Sequence, residues 1–228
     1  MRIIAITGAS GILGSAVAHA ALAQGASVAL LDHSIQPRHG LADSEAVLNL
    51  GGVDLTDPGA AEAALQAVVV RFGGLDALLN IAGGFVWEKH EGGSPETWPR
   101  MFRLNVLTAA NASRAAIPHL KRSAAGRIVN VGANAALKAT TGMGGYAASK
   151  AGVHSLTQAL ADELKDAGVT VNAVLPSILD TPANRADMPR ADASAWVAPA
   201  DLAAVMLFLA SAAAGAVTGA LIPVTGRV

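Results

Sequence analysis

The 228-residue sequence predicts a single α/β domain: a doubly wound, mostly parallel seven-stranded sheet with helices on both faces. Three observations predict it. Seven short runs rich in Val, Ile and Leu recur along the chain, with helical patterns between most of them. The runs are continuously apolar, the pattern of strands buried on both faces of a parallel sheet. No linker, repeat or low-complexity stretch interrupts the series, so no domain boundary is placed within residues 1–228.

Strands are expected at residues 2–7, 27–32, 52–55, 75–80, 127–131, 169–175 and 221–224. Helices are expected at 12–24, 58–72, 95–120, 145–167 and 199–213. The segment 33–48 reads as a weak helix at best, which shortens the second crossover. Two irregular stretches, 83–97 and 176–198, follow predicted strand ends, where ligands bind in open α/β sheets. Loops at 84–98 and 176–198 are therefore the expected substrate walls, offering Phe85, Trp87, Trp98, Arg185 and Trp196.

Composition narrows the function. With 16 Lys+Arg against 17 Asp+Glu, the net charge is −1 and the basic footprint of a nucleic-acid binder is missing. Zero cysteines exclude disulfides, thiolate metal sites and cysteine nucleophiles. The six histidines form no pair at ligand spacing within a helix, and no metal is expected. The 51 alanines and 24 glycines make a mean hydropathy of +0.43 a sign of small packed residues. Two charge-free stretches, 3–31 and 202–226, look superficially like membrane signals. Gly8, Gly11 and Gly14 interrupt the first, and Gly215, Gly219 and Pro223 break the second. The chain reads as soluble and cytoplasmic, with no membrane partner.

The first predicted strand runs straight into Gly8-Ala9-Ser10-Gly11-Ile12-Leu13-Gly14 and then a helix. A strand, a glycine turn and a helix N-terminus together form the arrangement that receives a pyrophosphate. The glycines admit the backbone to the phosphates, and the helix amides favour negative charge. Gly8, Ser10, Gly11, Ile12, Leu13 and Gly14 are the expected cradle. Asp32 ends the second strand 18 residues beyond Gly14, near the spacing at which a carboxylate bonds the adenosine ribose. It would repel a 2′-phosphate, which favours NAD over NADP. Asp54, Leu55, Asn80, Ala82 and Gly83 are expected beside the adenine.

In this order and spacing, Thr7-Gly8…Gly14, Asp32, Asp54, Asn80–Gly83, Asn105, Tyr146-Ala147-Ala148-Ser149-Lys150, Pro176…Thr181 and Val217-Thr218-Gly219 resemble the short-chain dehydrogenase/reductase family. The resemblance runs over essentially the whole length and implies a Rossmann-type fold. Within the family the chain is most similar to dihydropteridine reductases. That likeness rests on Gly142-Met143, on Leu175-Pro176…Leu179-Asp180-Thr181-Pro182, and on Asn184-Arg185, Met188-Pro189 and Trp196.

Tyr146 is the only tyrosine, and Lys150 lies one helical turn after it on the same face. A neighbouring ammonium favours the phenolate and draws its pKa towards the working range. The resemblance implies that Tyr146 is the general acid/base, that Lys150 also bonds the nicotinamide ribose, and that Asn105 anchors a proton-relay water. It further implies that the Pro176 and Ile178 backbone faces the nicotinamide carboxamide and that Thr181 bonds the cofactor. The family usually places a substrate-bonding serine after the fifth strand; this chain has Ala133, with Gly132 before it and Asn134 after it.

The expected activity is NAD(H)-dependent hydride transfer to or from a small organic substrate, with a quinonoid dihydropteridine as preferred substrate. An ordinary carbonyl reductase or alcohol dehydrogenase lacking the serine is the alternative within the enzyme class. Outside it stands a non-catalytic dinucleotide sensor. A homodimer or homotetramer built on the helices at 95–120 and 145–167 is expected.

Overall fold

The computed structural model describes residues 2–36 and 40–228. Seven strands form one sheet in the order β3-β2-β1-β4-β5-β6-β7, every neighbouring pair parallel. They are β1 (Ile3–Thr7), β2 (Ser27–Leu31), β3 (Val47–Leu50), β4 (Ala77–Asn80), β5 (Arg127–Val131), β6 (Thr170–Pro176) and β7 (Leu221–Val224). Order reverses between β1 and β4. The crevice beyond the carboxyl ends of these two strands is where such sheets bind ligands.

Helices cover both faces. Against one face lie α1 (Ile12–Ala23) and α7 (Pro199–Leu209), packing Val17, Ala18, Ala21, Leu202, Ala203 and Met206. Against the other lie α2 (Pro58–Phe72), α4 (Thr108–Leu120) and α5 (Gly144–Leu164), packing Ala61, Leu65, Val68, Ala112, Ala116, Leu160 and Leu164. Each fully buried Leu or Val contributes roughly 1.5–3 kcal/mol, while the alanines let helices lie close to the sheet. Local signals set the ends of α2: the Asp57 side chain accepts from the Gly59 N–H, and Gly73 closes the helix at φ 84°.

Four expectations are corrected. The third strand is Val47–Leu50, pairing Val28 with Val47 through Leu31 with Leu50, and not residues 52–55. On this edge strand the Asn49 amide donates to Asp43 and the Leu41 carbonyl. Residues 52–55 form the turn after it, with Gly52 at φ 74° and the Val53 N–H donating to the Asp32 carbonyl. Between 33 and 46 the described residues contain no helix.

The helix expected at 95–120 is α3 (Thr97–Phe102), a π turn (Arg103–Leu107) and then α4. The stretch 176–198 is less irregular than expected. It holds the short α6 (Pro182–Asp187), which the Thr181 hydroxyl caps, and a bridge from Leu179 to Val197. No helix among the described residues is long and apolar enough to cross a membrane.

Candidate active site

At the exit of β1 the chain turns through Gly8 at φ 65°. Gly11 donates to the Gly8 carbonyl at 3.1 Å, and Ser15 donates to the Gly11 carbonyl at 2.9 Å to open α1. A β-carbon on Gly14 would run into the Gly8 carbonyl and come within 2.8 Å of the Ala9 α-carbon. Close helix–strand approach therefore requires glycine there. No side chain caps the N-terminus of α1 and its first turn carries no acid, so its leading amides face outward with the dipole uncompensated. The Ser10 hydroxyl beside them is buried without a hydrogen-bond partner.

The Asp32 carboxylate accepts from the Ser10 N–H and the Ser34 N–H, each at 2.8 Å, and so fixes the turn from the side. A cleft of about 720 Å³ opens above these groups. From the predicted set it is lined by Gly8, Gly11, Ile12, Leu13, Gly14, Asp32, Asp54, Leu55, Ala82, Gly83 and Thr181. His33, Val53, Thr56, Leu104, Thr108, Val131 and Leu179 also line it, and the sequence reading missed them. They come from loops, helices and the end of β5, and their facing depends on packing. The Thr56 side chain and backbone hold the Asp54 carboxyl below the usual range.

Asn80, Pro176 and Ile178 are outside the cleft lining. Asn80 is buried below the cleft, donating to Ser113 and to Asn130, which in turn donates to Thr157 of α5. It braces β4, β5, α4 and α5. The turn after β4 is instead fixed by Thr7, whose hydroxyl accepts from the Ile81 and Ala82 N–H groups at 3.0 Å. Pro176 is buried at the end of β6, and the Ile178 carbonyl is taken by the Val197 N–H.

Two predicted catalytic residues, Asn105 and Lys150, converge on Gly83, and Asn105 reaches the helix of Tyr146 through Ser149. A β-carbon on Gly83 would lie 2.5 Å from Asn105 Oδ1 and 3.5 Å from Lys150 Nζ. Asn105 sits in the π turn, a helix feature concentrated at functional sites. Its Oδ1 accepts the Gly84 N–H, and its Nδ2 donates to the Gly84 carbonyl and the Ser149 hydroxyl. Ser149 donates onward to the Tyr146 carbonyl. The Asn105 side chain is thus fully engaged in clamping the loop to α5.

The expected draw of Lys150 on the Tyr146 phenol is opposed by burial. Burial pushes the phenol up to about 12, and the Phe85 ring packs edge-on against it at 4.9 Å. Burial also pushes Lys150 down to about 8, and its Nζ donates to the Val131 carbonyl at 2.7 Å.

Of the loop side chains, Phe85 and Trp87 remain about half exposed at this mouth. The Trp87 indole lies on the α-carbon of Gly142, and the Glu88 N–H donates to the Gly142 carbonyl. Trp98 packs on Gly144 and Gly145, Trp196 is buried, and Arg185 is paired with Asp180 at 2.6 Å. Ala133 is buried at the exit of β5, with its N–H donated to His154.

A parallel sheet with a glycine turn after β1 and a Tyr–Lys pair on the helix after β5 defines an α/β oxidoreductase. The sequence pattern of the short chain dehydrogenase family matches residues 2–191, and the chain belongs to that family. It is similar to the 3-oxoacyl-acyl-carrier-protein reductase of Vibrio cholerae, 31% identical over 238 residues that cover 99% of this chain and 96% of that protein. It is similar also to the D-beta-hydroxybutyrate dehydrogenase of Rhizobium meliloti, 33% identical, covering 81% and 74%. Among solved structures, a glucose/ribitol dehydrogenase-type member from Brucella melitensis superposes with a TM-score of 0.90 at 29% identity, covering 99% and 95%. Thermoplasma acidophilum aldohexose dehydrogenase superposes with a TM-score of 0.88 at 27% identity, covering 99% and 93%.

Proposed function

We propose that the chain is an NAD(H)-dependent oxidoreductase acting on a small organic substrate, with Tyr146, Lys150 and Asn105 managing the proton and the site around it. The observation that carries this reading is the cleft of about 720 Å³, with Gly8, Gly11 and the uncapped first turn of α1 at one end. Gly83 and Val131, both in reach of Lys150, lie at the other. These residues fit a dinucleotide. The amides following Gly11 would hold the pyrophosphate, Asp32 would accept from the adenosine ribose, and Thr181 would hold the carboxamide. Like charge at Asp32 disfavours a 2′-phosphate, so NAD is the preferred cofactor. When bound, the nicotinamide supplies the hydride chemistry.

The chain's own part is proton delivery. Burial pushes the Tyr146 phenol up to about 12, which keeps it protonated at neutral pH, and the Lys150 ammonium one turn away would favour release of that proton during substrate reduction. Lys150 is buried behind Val131 and Gly83 of the cleft lining, from where it would reach a ribose hydroxyl.

For the substrate, a quinonoid dihydropteridine or similar conjugated ring is the preferred reading. Ala133 supplies no hydroxyl to polarise a carbonyl, and an electron-poor ring accepts a hydride without one. The half-exposed Phe85 and Trp87 offer aromatic faces to a flat ligand. An ordinary carbonyl reductase or alcohol dehydrogenase is the second reading, favoured by the named activities of the Vibrio and Rhizobium relatives. The Tyr146–Lys150 pair weighs against a purely sensing role. Exposed Phe102 and Leu107, at the ends of α3 and the π turn, support a homo-oligomer through the helices beside α5. A cytoplasmic location goes with this soluble reading.

The deciding experiment follows NADH and NADPH consumption with quinonoid dihydropterin and with a simple ketone. The expected result is dihydropterin turnover with NADH preferred by about tenfold or more. Ketone turnover alone would select the second reading, and tight NADH binding without turnover of either would select the sensor.

A further inference from the structure

Two side chains of α5, one turn apart, hold the exit of β5. Lys150 Nζ donates to the Val131 carbonyl at 2.7 Å, and His154 Nε2 accepts the Ala133 N–H at 3.4 Å. Between them, the Gly132 N–H donates to the Val174 carbonyl of β6 at 2.9 Å. Three consecutive exit residues therefore each have a fixed partner.

Gly132 is explained by the imidazole. Its φ is not in the left-handed region, so the backbone conformation does not require glycine. A β-carbon there, however, would come within 2.5 Å of His154 Nε2, 2.8 Å of its Cδ2 and 3.2 Å of Leu175 Cδ1. Glycine at 132 makes the room that the buried histidine fills.

Accepting a hydrogen bond at Nε2 requires the neutral imidazole with its proton on Nδ1. Burial, and then the Lys150 ammonium, hold the His154 pKa below its ordinary value and so keep that form. Lys150 is the charged group facing the ring from its own helix. Gly132 and Ala133 beyond β5 and Leu175 of β6, which pack against it, carry no charge.

We propose that His154 is a positioning residue, acting through the Ala133 N–H to hold the β5 exit and the Asn134 turn in place against Tyr146. It touches neither substrate nor cofactor. Where the family usually places a serine, this chain has an alanine, so backbone placement is what the position contributes. The kinetic consequence rests on Tyr146 as proton donor; the structural consequence stands without it.

Two variants test it. His154→Leu keeps bulk and removes the acceptor, while His154→Gln keeps an acceptor at similar reach. Hydrogen exchange at the Ala133 amide, read by NMR, is expected to accelerate by about tenfold or more in His154→Leu and to stay near wild type in His154→Gln. With NADH and whichever of the two substrates the wild type reduces, kcat should fall about tenfold in His154→Leu at unchanged KM for NADH. His154→Gln should recover most of it. Unchanged Ala133 exchange in His154→Leu overturns the proposal. So do equal losses in both variants, which would make ring packing the cause. If His154→Leu does not fold, His154→Gln decides alone: lost Ala133 protection there overturns it and retained protection supports it. A wild type that reduces neither substrate refutes the enzyme reading above, while the exchange measurement still decides this one.

Discussion

At the exit of β1 the backbone turns through a left-handed glycine and leaves helix amides and the Ser10 hydroxyl without protein partners. At the exit of β5 a glycine outside the left-handed region makes room for a side chain, and the polar backbone is taken up by Lys150, Val174 and His154. Both exits lie at the carboxyl end of one parallel sheet. The donors at the first exit are left for a ligand in the proposed reading; those at the second are taken up by the protein itself.

The largest expected effect lies on the β5 side. Tyr146→Phe keeps the ring and its contact with Phe85 but removes the proton, so turnover should fall about 10²–10⁴-fold with NADH affinity unchanged. Steady-state rates and a fluorescence titration with NADH check both halves. Near-normal turnover would move the proton chemistry to solvent.

Next come paired glycine substitutions. Gly14→Ala overpacks the turn against Gly8 and Ala9, a defect that costs roughly 1–3 kcal/mol and should appear as lost NADH affinity. Gly132→Ala pushes on His154 and should lower turnover with NADH affinity intact. Equal weakening of NADH binding by the two would erase the distinction between the exits. Asp32→Ser with a nearby Arg should weaken NADH use about tenfold or more and relieve NADPH exclusion, for loss of a charged hydrogen bond costs ~1.5–3 kcal/mol. A wild type that already prefers NADPH would refute the role given to Asp32.

Ala133→Ser sharpens the substrate reading. On a quinonoid ring there is little developing charge for a new hydroxyl to stabilise, so dihydropterin reduction should stay within a few-fold of wild type. A well-placed donor to an oxyanion contributes ~2.7–4 kcal/mol. A hundredfold gain on ketones, with negligible dihydropterin turnover in both proteins, would therefore establish a carbonyl reductase that has lost its serine.

The smallest effect is one of pH on stability. The folded pKa of His154 lies below its unfolded value of 6.5, so the unfolded chain binds the proton first as pH falls. Stability from the neutral imidazole is complete above pH 6.5, declines as pH drops towards the folded pKa, and then levels off. His119, also lowered by burial and by Arg122, acts in the same direction. Urea melts across this range should lose part of their slope in His154→Gln, and an unchanged slope would remove His154 from the titration.

Legibility followed the same division. The β1 turn could be read because its determinants are local: a strand, three glycines at fixed spacing and a helix, then Asp32 at the end of the next strand. The edge strand was misplaced because its pairing with β2 is non-local, and only contacts with Leu41 and Asp43 show how the Asn49 amide is accommodated there. Asn80 was read towards the cofactor because it ends a strand there, yet its side chain turns down into Ser113 and Asn130.

By itself, the sequence determined the alternation of buried strands and covering helices, the glycine turn and the Tyr146–Lys150 spacing, since each is written in residues a few positions apart. Tertiary structure alone decided that Asn105 clamps Gly84, that burial raises the Tyr146 pKa, and that His154 holds Ala133 in a space left by Gly132. Those outcomes arise where β4, β5, α5 and the π turn meet. Desolvation and side-chain reach there are set by groups tens of residues apart, and no local pattern records them.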